Sequence, residues 1–317
     1  MIIIEIKTLI MKKLTKCPII MAFMLLMAIS CDMDNKSADK SPINIPPSSL
    51  ATPVSPMKTD TKGTIKSSFG SIYYEDSGEG GLPVVFVHSF GGSTLHWEAQ
   101  VNHLKKSRRV ITLDLRGHGR SDAPNKMEYA IDSLATDIAA VVDSLNINRF
   151  VLVGHSMGGA AVIAYAGAHP QRIAGLLLAG TSGKSSAKEA KPIIASLESK
   201  DYDKVMESYM KGILTNAKPE VDALEREGMK RLSKETSLSI IKAIFQFDPL
   251  VPLKRFTGST IIVATPEENQ PTALYKQMPN IPHKIMTGTS HWMHMDKPDE
   301  FNQILDDFLK TVDAEKK

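Results

Sequence analysis

The chain has 317 residues, 38 Lys and Arg against 35 Asp and Glu, two cysteines, and 42% hydrophobic residues. That apolar content excludes a wholly disordered chain and is enough for a sizeable core, while two cysteines exclude a disulfide-stapled scaffold. The formal net charge of +3 resides in residues 1–30, where Lys7, Lys12, Lys13 and Lys16 face only Glu5; the remainder is balanced and lacks the basic excess of a nucleic-acid binder.

Residues 1–30 read as a targeting segment. The basic run Met11-Lys12-Lys13-Leu14-Thr15-Lys16 precedes an almost wholly apolar stretch, 17–29, which is the order of a secretory signal. About thirteen apolar residues are too few to cross a hydrocarbon core of roughly 30 Å. Ala28-Ile29-Ser30-Cys31 resembles the lipobox of bacterial lipoproteins. That resemblance implies lipidation of Cys31, export, and a lipid anchor in a membrane facing the periplasm or the cell surface. The alternative is an ordinary signal cleaved nearby, with Cys31 incidental. Residues 31–62 then form a tether: Pro42, Pro46, Pro47, Pro53 and Pro56 alternate with Ser, Thr, Lys and Asp, too polar to offset the entropy of ordering. The folded part is expected from near Gly63, and it contains no cysteine.

Residues 64–69 and 71–76 alternate like two antiparallel strands, followed by the turn-rich Ser77-Gly78-Glu79-Gly80-Gly81. Near-continuous apolar runs follow at 84–87, 110–113, 150–153, 173–179 and 260–264, with a weaker one at 283–286. Runs apolar on both faces suit parallel strands covered by helices. Helical-period segments at 131–145, 156–168 and 298–312 separate them, so the spacing predicts an α/β fold with a mostly parallel, doubly wound sheet. The alternation stops between 182 and 257, where Val205, Met206, Tyr209, Met210 and Ile213 repeat at helical spacing, as do Leu238, Ile241, Ala243, Ile244 and Phe245. This predicts a helical cap inserted between two core segments, 63–181 and 258–317, and lying over the strand ends.

Gly154-His155-Ser156-Met157-Gly158 directly follows one predicted strand and opens a helix. Glycines flank the serine because a tight, strained turn leaves no room for side chains there. The turn raises Ser156 above the sheet and aims helix N-terminal amides at a developing oxyanion. With this segment, three others carry a resemblance to the α/β-hydrolase fold superfamily across nearly all of the folded part. His88-Ser89-Phe90-Gly91-Gly92 resembles its oxyanion loop, with Ser89 where that loop has glycine. Asp114-Leu115-Arg116-Gly117-His118-Gly119-Arg120-Ser121 resembles its Asp-x-Arg-Gly-x-Gly-x-Ser turn, and Gly288-Thr289-Ser290-His291 its catalytic-histidine segment.

The resemblance implies Ser156 as nucleophile and the amides of Phe90 and Met157 as the oxyanion hole. It also implies the chain order serine, acid, histidine, which leaves His283, His291 and His294 as possible bases. His291 follows the last strand, at the correct edge; His283 begins that strand and His294 is the alternative. The family's acid follows the fifth parallel strand, where Thr265-Pro266-Glu267-Glu268-Asn269 stands here. Register favours Glu268, with Glu267 and a displaced acid such as Asp248 as alternatives. Asp114 and Arg116 read as a structural turn, and His88, His118 and His155 as loop or elbow residues. Trp97, Trp292 and Met293 either line the pocket or pack in the core. No zinc-spaced His/Cys cluster and no phosphate-cradling glycine loop stands out, so neither a metal nor a cofactor is expected. The expected function is a serine hydrolase acting through an acyl-enzyme on a small-molecule ester or related acyl substrate. The rival is a ligand-binding or signalling protein of the same fold, with little or no turnover.

Overall fold

The computed structural model describes residues 60–315; the signal segment, Cys31 and the tether through residue 59 lie outside them. Eight strands form one sheet: β1 (Thr61–Lys66), β2 (Ser71–Asp76), β3 (Gly81–Val87), β4 (Arg108–Leu113), β5 (Phe150–His155), β6 (Ile173–Ala179), β7 (Ser259–Ala264) and β8 (His283–Ile285). Their order is β1-β2-β4-β3-β5-β6-β7-β8. The β1–β2 and β2–β4 pairs are antiparallel, and every pair from β4 to β8 is parallel. The mostly parallel sheet expected from the apolar runs is therefore present. β1 begins and ends earlier than the alternation suggested, because the Ser67 amide and hydroxyl both donate to the Gly70 carbonyl and close the hairpin at that point.

Helices cover both faces. α1 (Glu98–Leu104), α2 (Ile131–Ser144) and α3 (Met157–Ala168) follow β3, β4 and β5 respectively. Along β3, Val85 and Val87 face a core shared with α2 and α3, whereas Val84 and Phe86 face a second core. Every residue of β5 and β6 is buried, which explains why they read as unbroken apolar runs rather than alternating ones. α3 is buried from Met157 through Gly167 and correspondingly apolar all round.

Four long helices lie between β6 and β7, α4 (Ala187–Glu198), α5 (Tyr202–Ile213), α6 (Pro219–Lys230) and α7 (Lys234–Gln246), followed by a single helical turn at Leu250–Leu253. Three of these starts are locally encoded. Ser186 and Glu189 make a reciprocal capping box at α4, Pro219 occupies the first turn of α6, and the Ser233 hydroxyl accepts from the Thr236 amide at α7. Met210, Leu214 and Val221 pack with Trp292 of the core. The chain ends on α8 (Pro298–Ala314), whose Phe301, Leu305, Phe308 and Leu309 complete the second core.

Candidate active site

Ser156 sits at the end of β5 with φ of 53°, one of the few non-glycine residues in the left-handed region. Such a backbone is costly and persists only where the surroundings hold it. Here the Ser156 amide donates to the Ala179 carbonyl of β6 at 2.8 Å. The flanking glycines are required as the motif suggested: a Cβ at Gly158 would press into the His88 carbonyl, and one at Gly154 would lie 2.7 Å from the Gly158 carbonyl. Met157 is the first residue of α3, so its amide is among those that a helix leaves without an internal acceptor. Phe90, in the loop after β3, borders the same cavity as Ser156.

His291 Nδ1 lies 2.7 Å from Glu268 Oε1. The other carboxylate oxygen, Oε2, accepts from the Thr265 amide at 3.0 Å, so the short turn Pro266–Glu268 folds the acid back over the end of β7. With Nδ1–H donated to the carboxylate, Nε2 is the nitrogen left to accept a proton. The two glutamates thus part company. Glu268 is brought against His291, whereas Glu267 is exposed and Asp248 is paired with Lys184 at 2.6 Å. His283 stacks on Tyr275 away from the cavity, and His294 is buried against Trp97, their rings 4.2 Å apart. Trp97 and Met293 pack in the second core; Trp292 lines the cavity.

Several supporting residues escaped the sequence reading. Asp296 Oδ2 accepts from both the amide and the hydroxyl of Ser290, at 2.7 and 2.6 Å, and Ser290 Oγ accepts from the Trp292 amide at 3.1 Å. This buried network fixes the loop on either side of His291. It also reaches the cap, since the Lys218 amide donates to Asp296 Oδ1 at 2.9 Å and the His291 amide to the Ile213 carbonyl at 3.0 Å. From the other side, His155 Nε2 donates to the His291 carbonyl at 3.0 Å. An aspartate five positions beyond the histidine was the only local signal, and it reads as an ordinary helix-start acid.

The remaining conspicuous polar residues hold loops. His88 Nε2 accepts from the Leu115 amide at 2.9 Å and Nδ1 donates to the Ser89 carbonyl at 2.7 Å, which uses both ring nitrogens. Burial, then the neighbouring His118, keeps His88 well below the usual imidazole range; burial likewise pushes His118 down to about 4. His155 is depressed by burial and by the nearby His291 and His294. Asp114 accepts from the amides of Thr94 and Arg120, and Arg116 makes a buried ion pair with Asp137, so this turn is structural.

The cavity over Ser156 is bounded below by Ser89, Phe90, Ser156, His291 and Trp292, and roofed by Tyr209, Met210 and Ile213 of α5 and Met229 of α6. It leaves about 10 Å³ for the centre of a water molecule, room for roughly one. Tyr209 is 39% exposed, yet burial, with the Glu268 charge second, pushes its phenol up to about 12. Among the described residues, no group of three or more His, Cys, Asp or Glu has the geometry to hold a metal ion.

Residues 83–239 match the family described as alpha/beta hydrolase fold. A 115-residue stretch is 44% identical to the dihydrolipoyllysine-residue acetyltransferase component of an acetoin cleaving system from Pseudomonas putida, covering 36% of this chain and 31% of that protein. Across four curated relatives the matched stretch spans between 31% and 43% of the relative's own length. Solved structures match more completely. An N-acyl homoserine lactone degrading enzyme superposes with a TM-score of 0.68 at 26% identity, over 78% of this chain and 100% of that one. A bromoperoxidase from Bacillus anthracis gives 0.67 at 25% identity, over 79% and 100%.

Proposed function

We propose that this chain, which has the α/β-hydrolase fold, is a serine hydrolase that cleaves a small, uncharged ester or related acyl bond through an acyl-enzyme. The observation that carries this reading is the 2.7 Å contact between His291 and Glu268 beside a strained Ser156. In the first step His291 Nε2 takes the Ser156 proton as Oγ bonds to the carbonyl carbon. The Phe90 and Met157 amides receive the oxyanion. Collapse breaks the acyl–oxygen bond, and the leaving alkoxide takes the proton from His291. Water then repeats the sequence, releasing the acid and restoring Ser156. Glu268 holds the imidazole in one tautomer and stabilises its charged form. A serine at the elbow argues against epoxide opening, which needs a carboxylate nucleophile. No Lys or Arg lines the cavity, and its walls are mainly Phe, Met, Ile and Trp, which favours a neutral apolar acyl group.

Labelling of the full chain with a fluorophosphonate tests the reading. Fast labelling of the wild type and none of Ser156→Ala is the expected result; a folded wild type that resists the probe would mean that the serine is not activated.

We further propose that the chain is exported and anchored through a lipidated Cys31, on the order of basic run, apolar run and lipobox-like segment. Each buried CH2 of an acyl chain adds about 0.8 kcal/mol, so two or more chains give a stable anchor. Metabolic labelling with a palmitate analogue should mark the wild type in the membrane fraction and leave Cys31→Ala unmarked. Equal labelling of both would rule this anchor out.

A further inference from the structure

The loop after β3 contains a side chain that the two-amide oxyanion hole does not use. Ser89 immediately precedes Phe90, is 1% exposed, and borders the same cavity as Ser156 and His291. Its Oγ accepts from the indole Nε1 of Trp292 at 3.3 Å. An indole N–H can only donate, so this contact uses a lone pair of the serine and leaves its own O–H proton to be placed elsewhere. Among the described residues no acceptor takes that proton. The Ser89 carbonyl is separately engaged, by His88 Nδ1 at 2.7 Å and the Gly92 amide at 2.9 Å, so the backbone that bears the hydroxyl is held as well.

A buried, oriented hydroxyl with an unspent proton, one residue from an oxyanion-hole amide, suits an oxygen that gains negative charge. Ser89 and Ser156 line one cavity with room for roughly one water molecule. The other polar lining groups are differently committed: His291 is bonded to Glu268, and Tyr209 approaches from the cap side. Trp292 is itself fixed, because its amide donates to Ser290 Oγ, which in turn donates to the buried Asp296.

We infer that the Ser89 hydroxyl is a third donor to the substrate oxyanion, oriented by the Trp292 indole; this rests on the acyl-transfer reading above. Ser89 would touch the reacting oxygen and so be catalytic, whereas Trp292 is a positioning residue. No proton is transferred: the hydroxyl donates a hydrogen bond that shortens as the carbonyl oxygen becomes anionic. A donor that acts on the developing charge changes kcat and leaves ground-state binding largely alone.

The test uses the full chain with p-nitrophenyl acetate as substrate and thermal unfolding as a separate readout. Ser89→Ala should lower kcat by about 10²-fold, the usual cost of one oxyanion donor, with KM within about twofold. Trp292→Phe, which keeps the aromatic packing and removes the N–H, should lower kcat less. The double variant should be no slower than Ser89→Ala alone, since both changes remove one interaction. A wild type that hydrolyses the ester while Ser89→Ala keeps its kcat, or changes only KM, overturns this inference and leaves the hydrolase reading intact. A wild type inert to both ester and fluorophosphonate overturns the parent reading and this one with it. Should Ser89→Ala fail to fold, Ser89→Gly removes the same hydroxyl while restoring the residue of the loop that it resembles, and the same kcat criterion applies.

Discussion

Glu268→Gln should lower kcat for ester hydrolysis by about 10³- to 10⁴-fold with little change in KM, while Glu267→Gln stays within about twofold of wild type. The substitution keeps the shape of the side chain and removes its charge. A glutamine can still accept from His291 Nδ1 with its amide oxygen, but it cannot stabilise the imidazolium formed when Ser156 gives up its proton. If it turns its NH2 toward the ring instead, Nδ1 must become the acceptor, and the proton moves to the nitrogen that should face the serine. Replacing the acid of a Ser-His-acid triad by its amide costs about 10⁴-fold where the pair is buried. The side chains of His291 and Glu268 are 14% and 23% exposed, so water can take over part of the role, which sets the lower end of the range. The Thr265 amide donates to Glu268 Oε2 while His291 meets Oε1, so the single oxygen of a glutamine cannot serve both; held by Thr265, it leaves the NH2 against Nδ1, and the fall in rate then reports the lost charge and the wrong tautomer together. Steady-state kinetics of the two variants decide the matter. A Glu268→Gln enzyme within tenfold of wild type, or a Glu267→Gln enzyme slowed a hundredfold, would remove Glu268 from the mechanism.

That glutamate shows how far local pattern reaches. Counting from the end of β7 brings either of two adjacent carboxylates to the right edge of the sheet, and periodicity cannot separate neighbours in a turn. The separation comes from Thr265, whose amide and side chain fold the turn back on itself so that the third residue, not the second, faces inward. The strands were legible because full burial on both faces writes an unbroken apolar run, as in β5 and β6. Ser156 was legible because a backbone at positive φ needs glycines beside it. By contrast, the Ser290–Trp292–Asp296 network and its bonds to Ile213 and Lys218 join residues from the end of the chain to the cap. Each member, taken singly, is a common loop residue. Only the packing of cap on core brings the partners together, and no local spacing records it. The three-residue displacement of β1 is by contrast local, arising from a side chain, Ser67, that bonds the Gly70 carbonyl and closes the hairpin early.

A second contact of this kind, between α6 and the turn after β3, should weigh heavily on stability. His96, in the turn Thr94–Trp97, and Glu225, on α6, are both essentially inaccessible, with Nε2 and Oε1 2.7 Å apart. The two atoms are close but not aligned as a hydrogen bond, and Glu225 Oε2 has no partner among the described residues. A buried ion pair with unsatisfied oxygens gains less than it costs relative to apolar packing, yet removing one member strands the other. His96→Asn, whose side-chain amide can still bond the Ser93 backbone that Nδ1 meets now (2.8 Å from its amide and 3.0 Å from its carbonyl), should therefore lose about 3–5 kcal/mol. Glu225→Leu should lose less, because a lone imidazole can remain neutral. The double variant should recover to within about 1 kcal/mol of wild type. Protonation sharpens the test. Burial is the largest single influence on His96 and opposes charging it, but the charge and close approach of Glu225, the Ser93 backbone and Asp114 together outweigh it and raise the imidazole above 6.5; for Glu225, burial outweighs the attraction of His96 and raises the carboxyl above 4.5. Asp114 beside His96, and His291 and Asp296 beside Glu225, modulate these shifts without reversing them. Both groups thus hold protons more tightly folded than unfolded. Their contribution is fully present below 4.5 for Glu225 and below 6.5 for His96, and is lost as pH rises through the folded values. Chemical unfolding at pH 5.5 and pH 8 should show wild type losing stability across that interval and the double variant losing much less. A double variant as unstable as His96→Asn would mean that the two groups are not a pair. Because Met229 lies one turn beyond Glu225 on α6 and roofs the cavity over Ser156, loosening this contact by raising the pH should also loosen the roof of the site.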